Sequence, residues 1–152
     1  MAGFELIPVP FVKMKEMADT PTEAMPPVSK WAPVVALAWL IPGGGHFLLK
    51  RPGRGGLLAA SIAATFLLGL MMRGALFSPQ TGDILTTVIY VGGFLGNVMS
   101  GILYFLAVSL GYNQVDVAGH VHDYGTKFLV AAGLLNILAM VDAFEIATGK
   151  KQ

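Results

Sequence analysis

Charged residues along the chain fall into clusters separated by long apolar runs. No Asp, Glu, Lys or Arg occurs in residues 31–49, 55–72 or 84–115, and a fourth run covers 128–141 before Asp142 and Glu145 intrude. A helix needs about 20 mostly apolar residues to cross a hydrocarbon core of about 30 Å. The second and third runs meet that requirement. The first meets it in length but contains Pro42 and Gly43-Gly44-Gly45. The fourth meets it if Asp142 and Glu145 lie at headgroup level, near the end of a helix. The pattern predicts an all-α integral membrane protein: a four-helix transmembrane bundle with helices near 32–49, 55–73, 84–111 and 126–148. A water-soluble all-α core is the competing reading, and three charge-free runs of this length weigh against it. No alternating ten-residue segments of a membrane β-barrel are visible, nor is any repeat of fixed period.

Residues 1–30 read as a separate tail ahead of a membrane domain of 31–152. They hold seven of the nineteen charged residues and five of the nine prolines. That proline spacing forbids one long helix, so the tail is expected to be extended or disordered, lying on a membrane surface or along a partner. Lys13 is the first positive charge, and no apolar region of roughly 7–15 residues follows it, so a secretory signal is not expected.

Composition narrows the function. The 152 residues are 55% hydrophobic and 12% charged, where soluble domains carry about 25% charged residues; mean hydropathy is +0.67. Too little polar surface remains to cover a soluble enzyme. Ten Lys and Arg against nine Asp and Glu leave no basic excess for a nucleic-acid backbone. The absence of Cys excludes disulfides, thiolate metal sites and Cys nucleophiles. Orientation is balanced: with four crossings, Lys50, Arg51, Arg54 and Lys127 flank one side, and Lys30, Arg73, Lys150 and Lys151 the other.

Small residues recur at a spacing of four, which puts each row on one helix face. The second helix shows Gly55, Ala59 and Ala63 beside Gly56, Ala60 and Ala64. The third shows Gly92, Gly96 and Ser100 beside Gly93, Asn97 and Gly101. Membrane helices associate through close backbone approach and interhelical hydrogen bonds, so these two helices are expected to pack on each other along the rows. Asn97 and Asn136, inside the third and fourth helices, should face protein and act as hydrogen-bonding glue.

Candidate chemistry is sparse. Ile41-Pro-Gly-Gly-Gly-His46 interrupts the first helix. It reads either as a helix end near the surface with His46 at the interface, or as a break that exposes backbone to a ligand. Lys50, Arg51 and Arg54 form a basic loop suited to anionic lipid headgroups. Asp116, His120, His122 and Asp123 follow the third helix; in an extended segment His120 and His122 point to one side, as a divalent-metal site would require. His46, His120 and His122 are also the only imidazoles for a pigment or haem metal. The lack of a third nearby histidine disfavours a divalent metal, and bound lipid or pigment is the remaining cofactor class. No helix core carries the ionisable group that pumps and coupled transporters generally use.

Two stretches carry a resemblance. Ala38-Trp39-Leu40-Ile41-Pro42-Gly43-Gly44-Gly45-His46-Phe47, with the basic loop and Gly55-Gly56-Leu57-Leu58, resembles the two-transmembrane-helix hairpin module of small membrane proteins. Gly44 stands where that module often has a larger apolar residue. Tyr124-Gly125-Thr126-Lys127-Phe128-Leu129, with Ala132-Gly133-Leu134-Leu135-Asn136, Leu138, Asp142-Ala143 and Ile146-Ala147, is similar to the C-terminal helix of an uncharacterised bacterial family of four-helix membrane proteins. The resemblance covers roughly residues 31–150. It implies a multi-pass protein of the bacterial inner membrane and no particular activity. The expected function is a non-catalytic accessory subunit of a larger membrane complex, such as a photosynthetic or respiratory one, with lipids and other membrane subunits as partners. A small transporter or lipid-handling protein, using the Pro42–His46 break and the basic loop, is the alternative.

Overall fold

The computed structural model describes residues 26–114 and 119–151. Asp116 and the tail up to residue 25 lie outside the described residues. Six helices follow in order: α1 Val28–Leu40, α2 Gly44–Leu48, α3 Pro52–Met71, α4 Ile84–Val98, α5 Ile102–Ser109 and α6 His120–Ala147. No strand occurs among the described residues. Two helices, α3 and α6, are long and apolar enough to cross a membrane, or three spans exist if α4 and α5 count as one bent span.

α3 and α6 form an antiparallel pair. At one end Ala75 N–H, just beyond α3, donates to Thr126 Oγ1 at 2.9 Å. At the other, Arg54 in the first turn of α3 reaches Asp142 near the end of α6. The second of these is called the basic end below. The buried face of α6 runs His122, Gly125, Leu129, Ala132, Asn136, Ala139 and Ala143, alternating steps of three and four, so it forms one continuous stripe. Mostly small side chains make that stripe a seat for neighbouring backbones. Ile62 and Phe66 of α3 fill it around Leu129, Ala132 and Ala139.

The first predicted span is instead a reversal. α1 starts at the basic end, where Trp31 packs edge-on against Phe144 at 5.2 Å, and reaches Asn136 with its last turn. There Pro42 forces the preceding Ile41 into extended geometry (φ −117°, ψ 110°), and Gly43 takes φ +76°, which a side chain would resist. α2 then runs back along α1. A Cβ on Gly45 would meet the Val34 carbonyl at 2.8 Å and the Ala38 methyl at 2.9 Å, whereas a straight helix would separate residues 34 and 45 by about 16 Å.

The third predicted span is also broken. α4 and α5 are bent by 101° at Gly101, where φ is +63°. A Cβ at Gly101 would collide with the Trp39 and Leu40 carbonyls, so the bend of this hairpin touches the tip of the first. Trp39 and Phe105 pack edge-on at the same place. α4 lies on α6 through Gly96 and Val130, and its carbonyl presses on Gly133 so closely that no Cβ fits there. α5 then returns to the far end, where Tyr112 Oη donates to the Gly74 carbonyl at 2.8 Å; burial pushes that phenol's pKa up, which keeps it a donor.

Two hairpins thus enter from opposite ends and meet halfway along α6. Asn136, fully buried, joins them: its Nδ2 donates to Trp39 O at 3.0 Å and to Met99 O at 2.9 Å.

The expected contact between the small-residue rows of the second and third helices is not formed. α3 and α4 share no extended contact, and both pack on α6. Gly55 and Ala59 receive the returning α2 at Gly43 and His46, Gly93 receives the Phe77 ring, Gly101 receives the α1 tip, and Gly56 and Gly92 face open space. Ala60 and Ala64 are exposed, Ala63 is half-buried and Ser100 is buried. The hairpins fill the places that a second and third full span would have taken, and the smallest groove available to them is on α6.

Asn136→Leu removes two hydrogen bonds and leaves two buried carbonyls unpaired, and a loss of about 1–3 kcal/mol follows. Asn97 is equally buried, but both amide atoms lack a partner among the described residues, so Asn97→Val should be close to neutral. Equilibrium unfolding in mixed SDS micelles separates the two; equal losses for both would refute the bridging role of Asn136. Gly133→Leu, driven against the Gly96 backbone, should prevent folding altogether.

Candidate functional site

The reversal at Pro42–Gly43 carries His46 into the core. His46 is fully buried in protein, under α3 and α6. Gly55 makes this possible, since a Cβ there would lie 3.1 Å from the His46 Cβ and 2.9 Å from the Gly43 carbonyl. His46 Nε2 meets Asp142 Oδ2 at 2.8 Å. With a carboxylate as its partner Nε2 carries the proton and donates, leaving Nδ1 without a partner among the described residues.

Two more bases share the other carboxylate oxygen. Arg54 donates from a terminal guanidinium nitrogen to Asp142 Oδ1 at 2.6 Å, and Lys151 Nζ donates to the same atom at 2.7 Å. Lys151 arrives through the helix C-terminus. Gly149 has φ +78°, its N–H donates to Ile146 O, and Lys150 N–H donates to Glu145 O. This Schellman turn folds the last residues back over α6. Glu145 Oε2 stands 3.8 Å from Lys151 Nζ.

Asp142 is 15% exposed, against 40% for Arg54 and 45% for Lys151. A carboxylate taken out of water loses several kcal/mol of hydration, roughly, and needs close, hydrogen-bonded counter-charges. Three donors from α2, α3 and the C-terminal turn supply them. The cluster therefore ties three segments to α6. Among the described residues no hydroxyl bonds to His46, and Ser61 of α3 donates to Leu57 O at 2.9 Å. Beside the cluster a groove of about 400 Å³ runs between α3 and α6, with Arg54, Lys151, Asp142 and Glu145 at its mouth and Leu58, Ile62, Leu135, Leu138 and Ala139 along it.

The structure rearranges the other candidates. Of the Lys50, Arg51 and Arg54 loop, only Arg54 joins the cluster; the Lys50 backbone turns back at φ +57°. His120, His122 and Asp123 do not lie in an extended segment, because α6 begins at His120. Two residues apart on a helix are about 200° apart around its axis; His122 is buried and His120 exposed, although both line one pocket with Arg73, Asn113 and Gln114. Among the described residues no group of three His, Asp or Glu side chains is arranged to hold a metal ion. Asp142 and Lys151 were visible in the sequence only as charges near a helix end. The one signal that could have pointed to them is the Gly149 stop, which turns Lys151 back one helical turn from Asp142.

Residues 33–152 match the profile of DUF6677, a family of unknown function, and the chain belongs to that family. No curated protein and no solved structure matches it.

Asp142→Asn removes the charge that three donors share and leaves the partly exposed Arg54 and Lys151 adjacent without a counter-charge, and should destabilise the fold by about 1–3 kcal/mol. Arg54→Gln removes one partly exposed donor and should lose less than about 1 kcal/mol. Unfolding midpoints of the two variants in the same micelles give the comparison, and a larger loss for Arg54→Gln would contradict the central role of the carboxylate.

Proposed function

We propose that this DUF6677 protein is a non-catalytic, multi-pass accessory subunit of a larger membrane complex, held in a cytoplasmic membrane with its basic end in the cytoplasm. The observation that carries the proposal is the use made of the buried polar groups. Asn136 joins two hairpins, and Asp142 has both oxygens engaged by His46, Arg54 and Lys151. A pump or coupled transporter needs an intramembrane ionisable group free to change partners along a pathway. Here those groups hold the chain to itself, which favours a scaffold over a small transporter working through the Pro42–His46 break.

The outer face of α4 supports contact with another subunit. Ile84, Leu85, Val88 and Ile89 are exposed, and open space lies beside Gly92. A small residue among apolar ones lets a neighbouring membrane helix approach closely.

Charge supports the orientation. Reversal of α1 brings Lys50, Arg51 and Arg54 to the same end as Lys30, Lys150 and Lys151, while among the described residues only Arg73 and Lys127 are basic at the far end. The balanced count expected for four crossings becomes six against two, and basic flanks are retained in the cytoplasm.

Membranes solubilised in mild detergent and run on a native gel test the assignment. A tagged chain is expected to migrate with a larger assembly, and migration only as a lone protomer or simple homodimer overturns it. Because the chain lacks Cys, single replacements report the orientation. In intact cells a membrane-impermeant maleimide should label Thr81→Cys and spare Lys150→Cys; the reverse pattern would invert the topology.

A further inference from the structure

We propose that the groove between α3 and α6 at the basic end binds one anionic glycerophospholipid, its phosphate on Arg54 and Lys151 and an acyl chain along the groove. Both cationic groups donate to the same oxygen of Asp142, so they are neighbours, and one phosphate can bridge them. Neither is used up. Arg54 spends one nitrogen of a guanidinium with five N–H donors, and Lys151 spends one of three. Both remain substantially exposed, and an anionic, multi-oxygen acceptor is the group that matches a planar fork beside an ammonium.

The groove supplies the second half of the recognition. Its floor is Ile62 and Ala139, both buried, and its walls include the exposed Leu135 and Leu138. From Asp142 to Leu135 it extends about 10 Å along the helix axis. A free ion would leave that apolar length uncovered, whereas an acyl chain covers it. Asp142 and Glu145 at the mouth offset Arg54 and Lys151, and Lys50, Arg51 and Lys150 at the same end of the molecule restore its positive balance. The inner groove is lined by apolar side chains, so the phosphate stays at the mouth on Arg54 and Lys151. The site needs no partner subunit. A chain that runs as a lone protomer and still retains lipid would remove the accessory assignment and leave this site standing.

Native mass spectrometry of the full-length protein tests it, after exchange into nanodiscs of phosphatidylcholine containing an equal amount of phosphatidylglycerol. Phosphatidylglycerol should be retained in preference to phosphatidylcholine, by less than the roughly 30-fold that two unopposed basic contacts would give, because Asp142 and Glu145 offset them. The double variant Arg54→Gln with Lys151→Gln should abolish the preference. Leu135→Trp with Leu138→Trp fills the groove from its exposed walls, leaves the ion cluster intact, and should cut retention of both lipids. Neutralising Lys50 and Arg51 instead should leave most of the preference. Equal retention of the two lipids by the wild type overturns the proposal, as does retention unchanged in the groove-filling variant. Displacement of the bound lipid by millimolar inorganic phosphate would also overturn it, since that would assign the site to a free anion.

Discussion

In both hairpins the first helix ends with its carboxyl-terminal turn facing the middle of the molecule, and the carbonyls of such a turn have no partner within their own helix. In a medium without water each unpaired carbonyl is costly. A single side chain with two donors, placed between the two turns, removes both costs at once. Asn136 is that side chain, and its amide nitrogen bonds Trp39 O and Met99 O. The depth at which the first hairpin reverses and the depth at which the second bends are therefore coupled. A donor half a turn away on α6 would face a different helix, and a residue with one donor would leave one of the two breaks open.

The rest of the fold follows from what α6 must accommodate. Two hairpins and one full-length helix have to reach its surface, and only small residues leave room. Gly133 admits the Gly96 backbone, Gly125 admits Gly74, and Ala143 admits Gly45. Small residues give little apolar area in return, so the contacts are reinforced at three levels by polar bonds: Thr126 at the far end, Asn136 in the middle and Asp142 at the basic end. The three residues are spaced by ten and six positions along one helix: Thr126 holds the end of α3, Asn136 the tips of both hairpins, and Asp142 holds α2, the start of α3 and the C-terminal turn.

The apolar runs in the sequence were a sound guide to where helices form, and a poor guide to where they stop. α3 and α6 lie where the second and fourth runs predict them, with α6 starting six residues early, at His120. The first and third runs are long enough for spans, yet each contains a residue that permits reversal, Gly43 after Pro42 in one and Gly101 in the other. Pro42 announced its break. Gly101 did not, because glycine at a spacing of four is equally the mark of a helix that packs tightly. The small-residue rows of α3 and α4 carried that ambiguity in full: their spacing is real, but the partners turned out to be α2, Phe77 and the α1 tip.

Composition and spacing alone determined that the chain is helical, apolar enough for a membrane, without thiol chemistry, and provided with amides that need protein partners. These are properties of single residues and of their immediate neighbours, and no folding is needed to read them. Which end each loop occupies, which helix is the hub, and that His46, Arg54 and Lys151 converge on one carboxylate were decided only by tertiary structure. Asp142 lies 96 positions from His46 and 88 from Arg54, and nothing local ties them. A reversal of the chain at Pro42 and Gly43 brings them together, and it moves the basic loop to the other side of the molecule from where four straight crossings would have put it.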